Sequence, residues 1–437
     1  MGDSPGARAL IWVMTGIVAA GPALWAAFNA RPGDFASAAE LLGFAGSLAG
    51  VAGLSFLLLA MVLSIRAPGF DGPFGGLLRL WRIHHRLGAL CFVLLMLHPV
   101  LLSLAAAGDG PEVVLAVLAP PWGAWPVWAG WMSLLAMMIF LAPSFSFFAE
   151  PFYQRWKMVH RLSGLVVVLG LVHAIPLSRS VPAVEAAWLW GGLGALALFA
   201  FFWRLLLSRL WSRKRYRITE VRPMAPGVVE LTLDGPPLDY RAGQFVYLTP
   251  RDPILTAGRG EEHPYSLSSA PQETSLRIGI KDLGDASHAL QEVTPGSEAL
   301  IEGPYGSFLP ARHDRPALWI GGGIGITPFV SAAREFAHAA EAGDVELIYC
   351  ANDPGRAYYL EVFQGVAAEQ AGLRVHPHYF AAEGPLSEGF IRAKVPDYRR
   401  REVYACGPPA MLALVSRLLR QARVPQWRIH TEEFELL

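Results

Sequence analysis

Residues 1–211 hold six long apolar stretches, at about 9–29, 41–65, 83–106, 125–142, 157–178 and 184–208, and residues 212–437 hold none. That division constrains the fold more than any other feature. Roughly 17–25 apolar residues are enough to cross a bilayer as a helix, and in lipid a helix satisfies its own backbone groups. The first half therefore predicts a six-helix transmembrane bundle and the second half a water-facing module. The fourth stretch is short and is interrupted at Pro143. The first is read as a span rather than a cleaved leader, because Arg8 is opposed by Asp3 and no clear cleavage site follows.

The loops orient the bundle. Arg66, Arg79 and Arg82 lie between stretches 2 and 3, Arg155 and Lys157 between 4 and 5, and Arg209, Arg213, Lys214, Arg215 and Arg217 after stretch 6. The opposite loops are poorer in cations: Arg31 with Asp34, then Asp109 and Glu112, then Arg179 with Glu185. The positive-inside rule places both termini and the soluble half in the cytoplasm, which for a bacterial protein means the inner membrane. Formal net charge is zero, so nothing argues for a nucleic-acid partner. Cys91, Cys350 and Cys406 are far apart and form no CxxC, which indicates neither a zinc ribbon, nor covalent c-type haem, nor a disulfide framework.

Polar groups within a bilayer usually have a task, and this bundle contains four spaced histidines. His84 (or its neighbour His85) and His98 share stretch 3, while His160 and His173 share stretch 5. The segment Trp81–Gly88 resembles Trp156–Gly164, which suggests an internal repeat with two parallel helices and histidines at matching depths. Two facing imidazoles suit haem iron in a bundle core. His84 with His160 would form an inner centre, and His98 with His173 an outer one. The separations are 14 and 13 residues, or about 20 Å along a helix. Fourteen steps return to nearly one helix face and thirteen do not, so stretch 5 must bend or present its centres from different sides. Aligning Gly88 with Gly164 selects His84 as inner ligand, and aligning His-Arg-Leu selects His85; the angular arithmetic favours His84. Arg82, Arg86, Lys157 and Arg161 flank the inner pair, either as partners for haem propionates or as ordinary interfacial anchors.

The soluble half opens with short alternating runs, Val228–Leu233 and Gln244–Leu248, separated by Gly/Pro turns, as in a small antiparallel barrel. From about residue 312, strands alternate with helices, which predicts a Rossmann-like parallel sheet. Tyr265 offers a flat face and a hydroxyl. The run Ala317–Ile320 reads as a strand leading into a glycine-rich loop, with Thr327 as N-cap and Pro328 as first helical residue. Such a loop lets a helix N-terminus approach phosphate.

The stretch His263-Pro264-Tyr265-Ser266-Leu267-Ser268-Ser269 resembles the FAD-binding motif of the ferredoxin–NADP reductase superfamily, and its His-Pro opening resembles the branch of ferric reductases and NADPH oxidases. Further motifs follow in family order. Lys281–Leu290 resembles the segment near the flavin diphosphate, and Gly303-Pro304-Tyr305-Gly306-Ser307-Phe308 the glycine-rich close of the flavin domain. Gly321-Gly322-Gly323-Ile324-Gly325-Ile326-Thr327-Pro328 resembles the NAD(P) pyrophosphate loop. Cys406-Gly407-Pro408 resembles the motif that sets a cysteine near nicotinamide, and Phe434 stands where the family often covers the flavin ring. The order and spacing of the four histidines are similar to that branch as well.

The resemblance implies three domains: a haem-binding transmembrane bundle over 1–211, an FAD-binding β-barrel over 212–310 and an NAD(P)-binding α/β domain over 311–437. It implies FAD and two b-type haems as cofactors, with NADPH or NADH as substrate. Ser266, Cys406 and Phe434 would stand at the hydride-transfer site. Asn352 and Arg356, after the strand Glu346–Tyr349, lie where the adenosine ribose is usually read; Arg356 suits a 2′-phosphate or is a solvated loop residue. Electrons would pass from cytoplasmic NAD(P)H through FAD to the haems and an outer acceptor, ferric iron or dioxygen. An alternative is an electron-supply subunit for a partner protein or quinone. The superoxide-forming oxidases have a histidine one turn beyond the outer ligand and an arginine on the second helix. Here Leu102 holds the first position, and stretch 2 has no arginine before Arg66. That departure leans toward ferric iron or another external acceptor.

Overall fold

The computed structural model describes residues 5–30, 32–144, 153–177, 183–255, 257–310, 314–338 and 343–432. The chain divides into two compact units, Met1–Leu210 and Trp211–Leu437.

The first unit is helical: α1 (Pro5–Phe28), α2 (Ala38–Leu63), α3 (Leu77–Ala106), a short α4 (Pro111–Leu118), α5 (Trp125–Leu141), α6 (Tyr153–His160), α7 (Ser163–Leu177), α8 (Ala183–Phe202) and a last turn α9 (Ser208–Trp211). Four helical stretches among the described residues are long and apolar enough to cross a membrane: Ala38–Leu63, Leu77–Asp109, Trp156–Leu177 and Ala187–Trp211. Thr15–Phe28 and Trp125–Leu141 are apolar but shorter. The unit is membrane-type in composition and fold, with four spans by length where the sequence suggests six.

Helix α2 is the hub. Ser37 caps it by accepting from the Glu40 amide at 3.2 Å and donating to the Glu40 carboxylate at 3.0 Å, a reciprocal arrangement that satisfies an orphan amide. Leu54, Leu57, Leu58 and Met61 pack with Cys91 of α3, Met137 and Phe140 of α5, Val166 and Val167 of α7 and Trp190 of α8. The outward faces carry Leu90, Val93, Leu97 and Val100 on α3 and Leu196 and Phe199 on α8, all exposed. An apolar exterior of this extent suits lipid. Arg66, counted above among the loop cations, is buried, and its carbonyl accepts from Trp203 Nε1 at 3.3 Å.

The second unit contains two sheets. Strands β1 (Arg213–Ala225), β2 (Val228–Asp234), β3 (Phe245–Pro250), β4 (His263–Ser266), β5 (Leu276–Lys281) and β6 (Glu298–Tyr305) form an antiparallel sheet in the order β4-β3-β6-β1-β2-β5. Just past β4, Leu267 bridges Ile278 of β5, so the two outer strands meet and the sheet curls toward closure. Ile218, Leu231, Val246, Leu248, Ile278 and Ile301 fill its interior. A short helix α10 (Asp285–Ala289) follows β5.

Strands β7 (Ala317–Gly322), β8 (Val345–Ala351), β9 (Leu373–Tyr379), β10 (Glu402–Cys406) and β11 (Ile429–Glu432) form the parallel sheet, in the order β11-β10-β7-β8-β9. Trp319, Phe329 and Phe363 pack on one face, Leu318, Ile320, Val403 and Val415 on the other. A parallel sheet covered on both faces is a doubly wound α/β domain. Strand order reverses between β7 and β10, where such folds bind ligands at the strands' carboxyl ends.

Candidate redox sites

The four histidines of the bundle form two pairs. The His84 and His160 rings lie 6.2 Å apart between centroids with planes at 61°, and the His98 and His173 rings 6.1 Å apart at 76°. Two metal–nitrogen bonds of about 2 Å plus the two ring radii come to about 6 Å, so each pair has the spacing of imidazoles facing one metal. His84 Nδ1 donates to the Ala60 carbonyl at 2.7 Å, His98 Nδ1 to Gly46 at 2.7 Å and His173 Nδ1 to Pro126 at 2.9 Å. A carbonyl only accepts, so these bonds fix the tautomer and leave each Nε2 lone pair available to a metal. His160 Nδ1 is buried without a partner, and its ring packs on Phe140 and Trp156. His85 is exposed, and the ring facing His160 is that of His84. Among the described residues no three His, Cys, Asp or Glu side chains gather as a metal cluster. Two imidazoles alone suit a metal that brings its own equatorial ligands, as haem does.

The 13-residue spacing asks stretch 5 either to bend or to present its centres from different sides. The helix of stretch 5 breaks immediately after His160, where Arg161 and Leu162 form a turn closed by bonds from Arg161 N to Met158 O and Leu162 N to Val159 O. His160 ends α6 and His173 belongs to α7.

In the second unit, register brings the flavin and nicotinamide motifs together. Ser266 of β4 opposes Phe245 of β3. A methyl built on Gly306 would lie 3.2 Å from the Phe245 ring and 3.9 Å from Glu432 Oε1. Cys406 of β10 opposes Glu432 of β11. Ser266 Oγ and Glu432 Oε2 are buried with no protein partner, which a bound cofactor would be expected to remedy. Tyr265 pairs with Val246, Pro264 with Tyr247 and His263 with Leu248, while His263 Nε2 lies 3.3 Å from Glu261. Lys281 ends β5, opposite Val228.

At the switch point the two glycine loops touch. A Cβ on Gly325 would fall 2.6 Å from Gly407, and one on Gly322 2.4 Å from Met411 Sδ. Gly323 adopts φ +57° and Gly303 and Gly306 are also in the positive-φ region, which glycine alone enters readily. Pro408 precedes the helix that begins at Pro409. Thr327 departs from expectation. A 3₁₀ turn over Gly323–Ile326 precedes helix α11 (Thr327–Ala337), so Thr327 is the first residue of the helix rather than its cap. Its hydroxyl donates to the Ile324 carbonyl at 2.8 Å.

The antiparallel sheet and the α/β part are joined by a buried pair that the sequence did not reveal. Arg334 of α11 donates to both carboxylate oxygens of Glu230 on β2, at 3.0 and 3.3 Å, and to the Ser268 carbonyl at 2.8 Å. Ser268 Oγ donates to Glu230 at 2.6 Å and Ser331 Oγ to the Ser269 carbonyl at 2.6 Å. Burial alone would raise the Glu230 carboxyl; the Arg334 bonds hold it below its ordinary value. Ser268 and Ser269 close the stretch His263–Ser269, so this clamp holds α11 against the residues just past the strand end that carries Ser266.

Known families match the chain module by module. Residues 49–171 match the ferric reductase like transmembrane component, residues 213–308 an FAD-binding domain and residues 319–417 an oxidoreductase NAD-binding domain. The chain has the ferric reductase architecture. This ferric reductase-like chain is 28% identical to an NADPH oxidoreductase of Mycobacterium tuberculosis over 52% of its own length and 62% of the relative's, so it spans under two thirds of that protein. It is 27% identical to ferredoxin–NADP reductase B of Sorangium cellulosum over 50% of its length and 96% of the relative's. A crystal structure of an Amycolatopsis cytochrome P450 reductase aligns with 51% of the chain and 69% of the reductase, at 27% identity and a TM-score of 0.44.

The remaining expected site residues stand apart. Arg356 is exposed and lies 3.7 Å from Asp353, and Asn352 donates to Asp353 at 3.2 Å. Phe434 lies outside the described residues. The sequence reading missed Glu432. Its only signal was an acid at the end of a strand, and without the β10–β11 register nothing linked it to Cys406.

Burial raises the Glu432 carboxyl from 4.5 to about 8, and burial together with the Glu432 charge raises the Cys406 thiol well above its usual value. Folded protein then holds a proton on Glu432 that the unfolded chain releases. The corresponding stability is complete below pH 4.5 and is lost as pH rises through about 8. Unfolding followed by FAD release should show stability falling from pH 6 to 8, by at most about 1.4 kcal/mol per pH unit, and Glu432→Gln should flatten that slope.

Proposed function

We propose that this chain is a transmembrane NAD(P)H oxidoreductase that takes electrons through FAD and two b-type haems to an acceptor on the outer face, ferric iron or dioxygen. The observation that carries the reading is the two imidazole pairs at 6.2 and 6.1 Å in an apolar bundle, on a chain that also carries FAD- and NAD-binding modules. His84 with His160 would hold the inner haem, and His98 with His173 the outer. When bound, flavin converts a two-electron hydride donor into single electrons, and haem carries them one at a time.

The protein's own side chains bind and orient. Ser266 would donate its unpartnered hydroxyl to the flavin edge, and Tyr265 would stack on its ring. The loops at Gly321–Gly325 and Cys406–Pro408 would admit the dinucleotide, with Cys406 beside the nicotinamide and Lys281, His263 and Gly306 lining the flavin. Protonated Glu432 would hold a proton, not a charge, beside that contact. On this reading the domains are 1–211, 212–310 and 311–437, with six spans and both termini in the cytoplasm.

Reconstitution into sealed vesicles tests the sidedness, with NADPH added outside and ferric chelate trapped inside. Vesicles with the soluble unit facing outward should reduce the trapped chelate. Reduction only of chelate on the NADPH side would overturn the transmembrane route. Arg356 would face a 2′-phosphate if NADPH is the donor, so Arg356→Ala should raise KM for NADPH on the order of 10-fold and leave KM for NADH unchanged in steady-state assays.

A further inference from the structure

The outer pair is seated by one device used twice. His98 donates to the carbonyl of Gly46 on α2, and four residues further along that helix stands Gly50. His173 donates to the carbonyl of Pro126 on α5, and four residues further along stands Gly130. A helix carbonyl points along the axis toward residue i+4, so a ring bonded to it lies across the α-carbon of that residue. The space is taken up by the imidazole itself. A Cβ on Gly50 would fall 2.8 Å from His98 Nδ1, and one on Gly130 would fall 2.6 Å from His173 Nδ1. The inner pair lacks the device: His84 donates to Ala60, with Ser64 four residues on, and His160 Nδ1 has no partner.

We infer that Gly50 and Gly130 are positioning residues for the outer haem. Each lets an imidazole lie flat on a neighbouring helix, so that the carbonyl bond fixes both its tautomer and the plane of its ring. The two supports come from different helices, which sets the His98 and His173 planes at 76°. A methyl at either glycine would push the ring off its carbonyl and rotate it about the metal axis. The inference rests on the proposed haem ligation by His98 and His173.

The test uses purified full-length protein, with haem counted and the low-spin ferric signal recorded by electron paramagnetic resonance, since that signal depends on the angle between the axial imidazole planes. His98→Ala identifies which signal is the outer one. Gly130→Ala and Gly50→Ala should each shift or abolish that signal and weaken outer-haem retention by on the order of 10- to 100-fold. The inner signal should stay, which also reports a folded bundle. Gly191→Ala, at a helix position with open space around it, should change neither. Unaltered outer-haem signal and retention in both variants would overturn the inference, as would loss of both haems together, which would make these glycines general packing positions. Absence of haem from the unaltered protein would overturn the ligation itself, and this inference with it.

Discussion

Replacing His98 by alanine is expected to leave one haem per chain instead of two. Electron delivery to ferric chelate should fall by more than about 100-fold, because losing even an outer-shell partner of a metal ligand costs 10- to 100-fold. Reduction of the flavin by NAD(P)H should be unchanged, since the flavin and nicotinamide motifs belong to a separate compact unit. His173→Ala should behave in the same way. His84→Ala should remove the other haem, and His85→Ala should remove neither, because the His85 ring is exposed and it is His84 that faces His160. Haem content, with stopped-flow flavin reduction alongside, measures these outcomes. Two haems retained in His98→Ala would contradict the ligand assignment.

The second large effect is expected at Glu230 and Arg334. Replacing Arg334 by methionine strands a buried carboxylate against the Ser268 hydroxyl, and breaking a buried pair from one side costs about 3–5 kcal/mol. Glu230→Gln should cost less, since glutamine keeps an acceptor for one guanidinium bond. The double variant Glu230→Met with Arg334→Met should recover much of the loss, because it removes both desolvated charges. Thermal unfolding followed by release of flavin fluorescence gives the ranking. The same variants should slow hydride transfer to the flavin, because the clamp holds α11 against the segment Ser266–Ser269. A full-strength clamp effect in Arg334→Met without any change in flavin reduction would make the pair purely structural.

Much of this architecture was legible in the residues, for identifiable reasons. Long apolar runs mark helices without any knowledge of packing, and a histidine inside such a run stands out because its hydration is costly to lose. The 13-residue spacing asked stretch 5 to bend or to present its centres from different sides, and the helix is interrupted by a turn at Arg161 and Leu162. The sheet of β1–β6 followed from alternation between Gly/Pro turns, and the β7 strand with its glycine loop from an apolar run ending in Gly321-Gly322-Gly323.

What could not be read depends on register and on close approach. Cys406 and Glu432 are neighbours only because β10 and β11 pair in parallel with that offset. Glu230 and Arg334 are 104 residues apart, and neither belongs to a motif. Arg66 stands in the sequence as a loop cation yet is buried. Thr327 has the side chain of an N-cap, but the preceding 3₁₀ turn moves the helix start by one residue and turns its hydroxyl back to Ile324. Gly46, Gly50 and Gly53 recur at helical spacing, a pattern that signals close helix contact; only the fold shows that two of them meet His98.

Anaerobic addition of NADPH to the purified full-length protein tests the central claim most directly. Absorbance is followed through flavin bleaching into the region of the b-type haem bands, and ferric chelate is then added. The account predicts that the flavin bleaches, that bands of two haems per chain grow in after it, and that ferric chelate reverses both. Flavin bleaching with no haem bands, or haem bands that NADPH never raises, would contradict it.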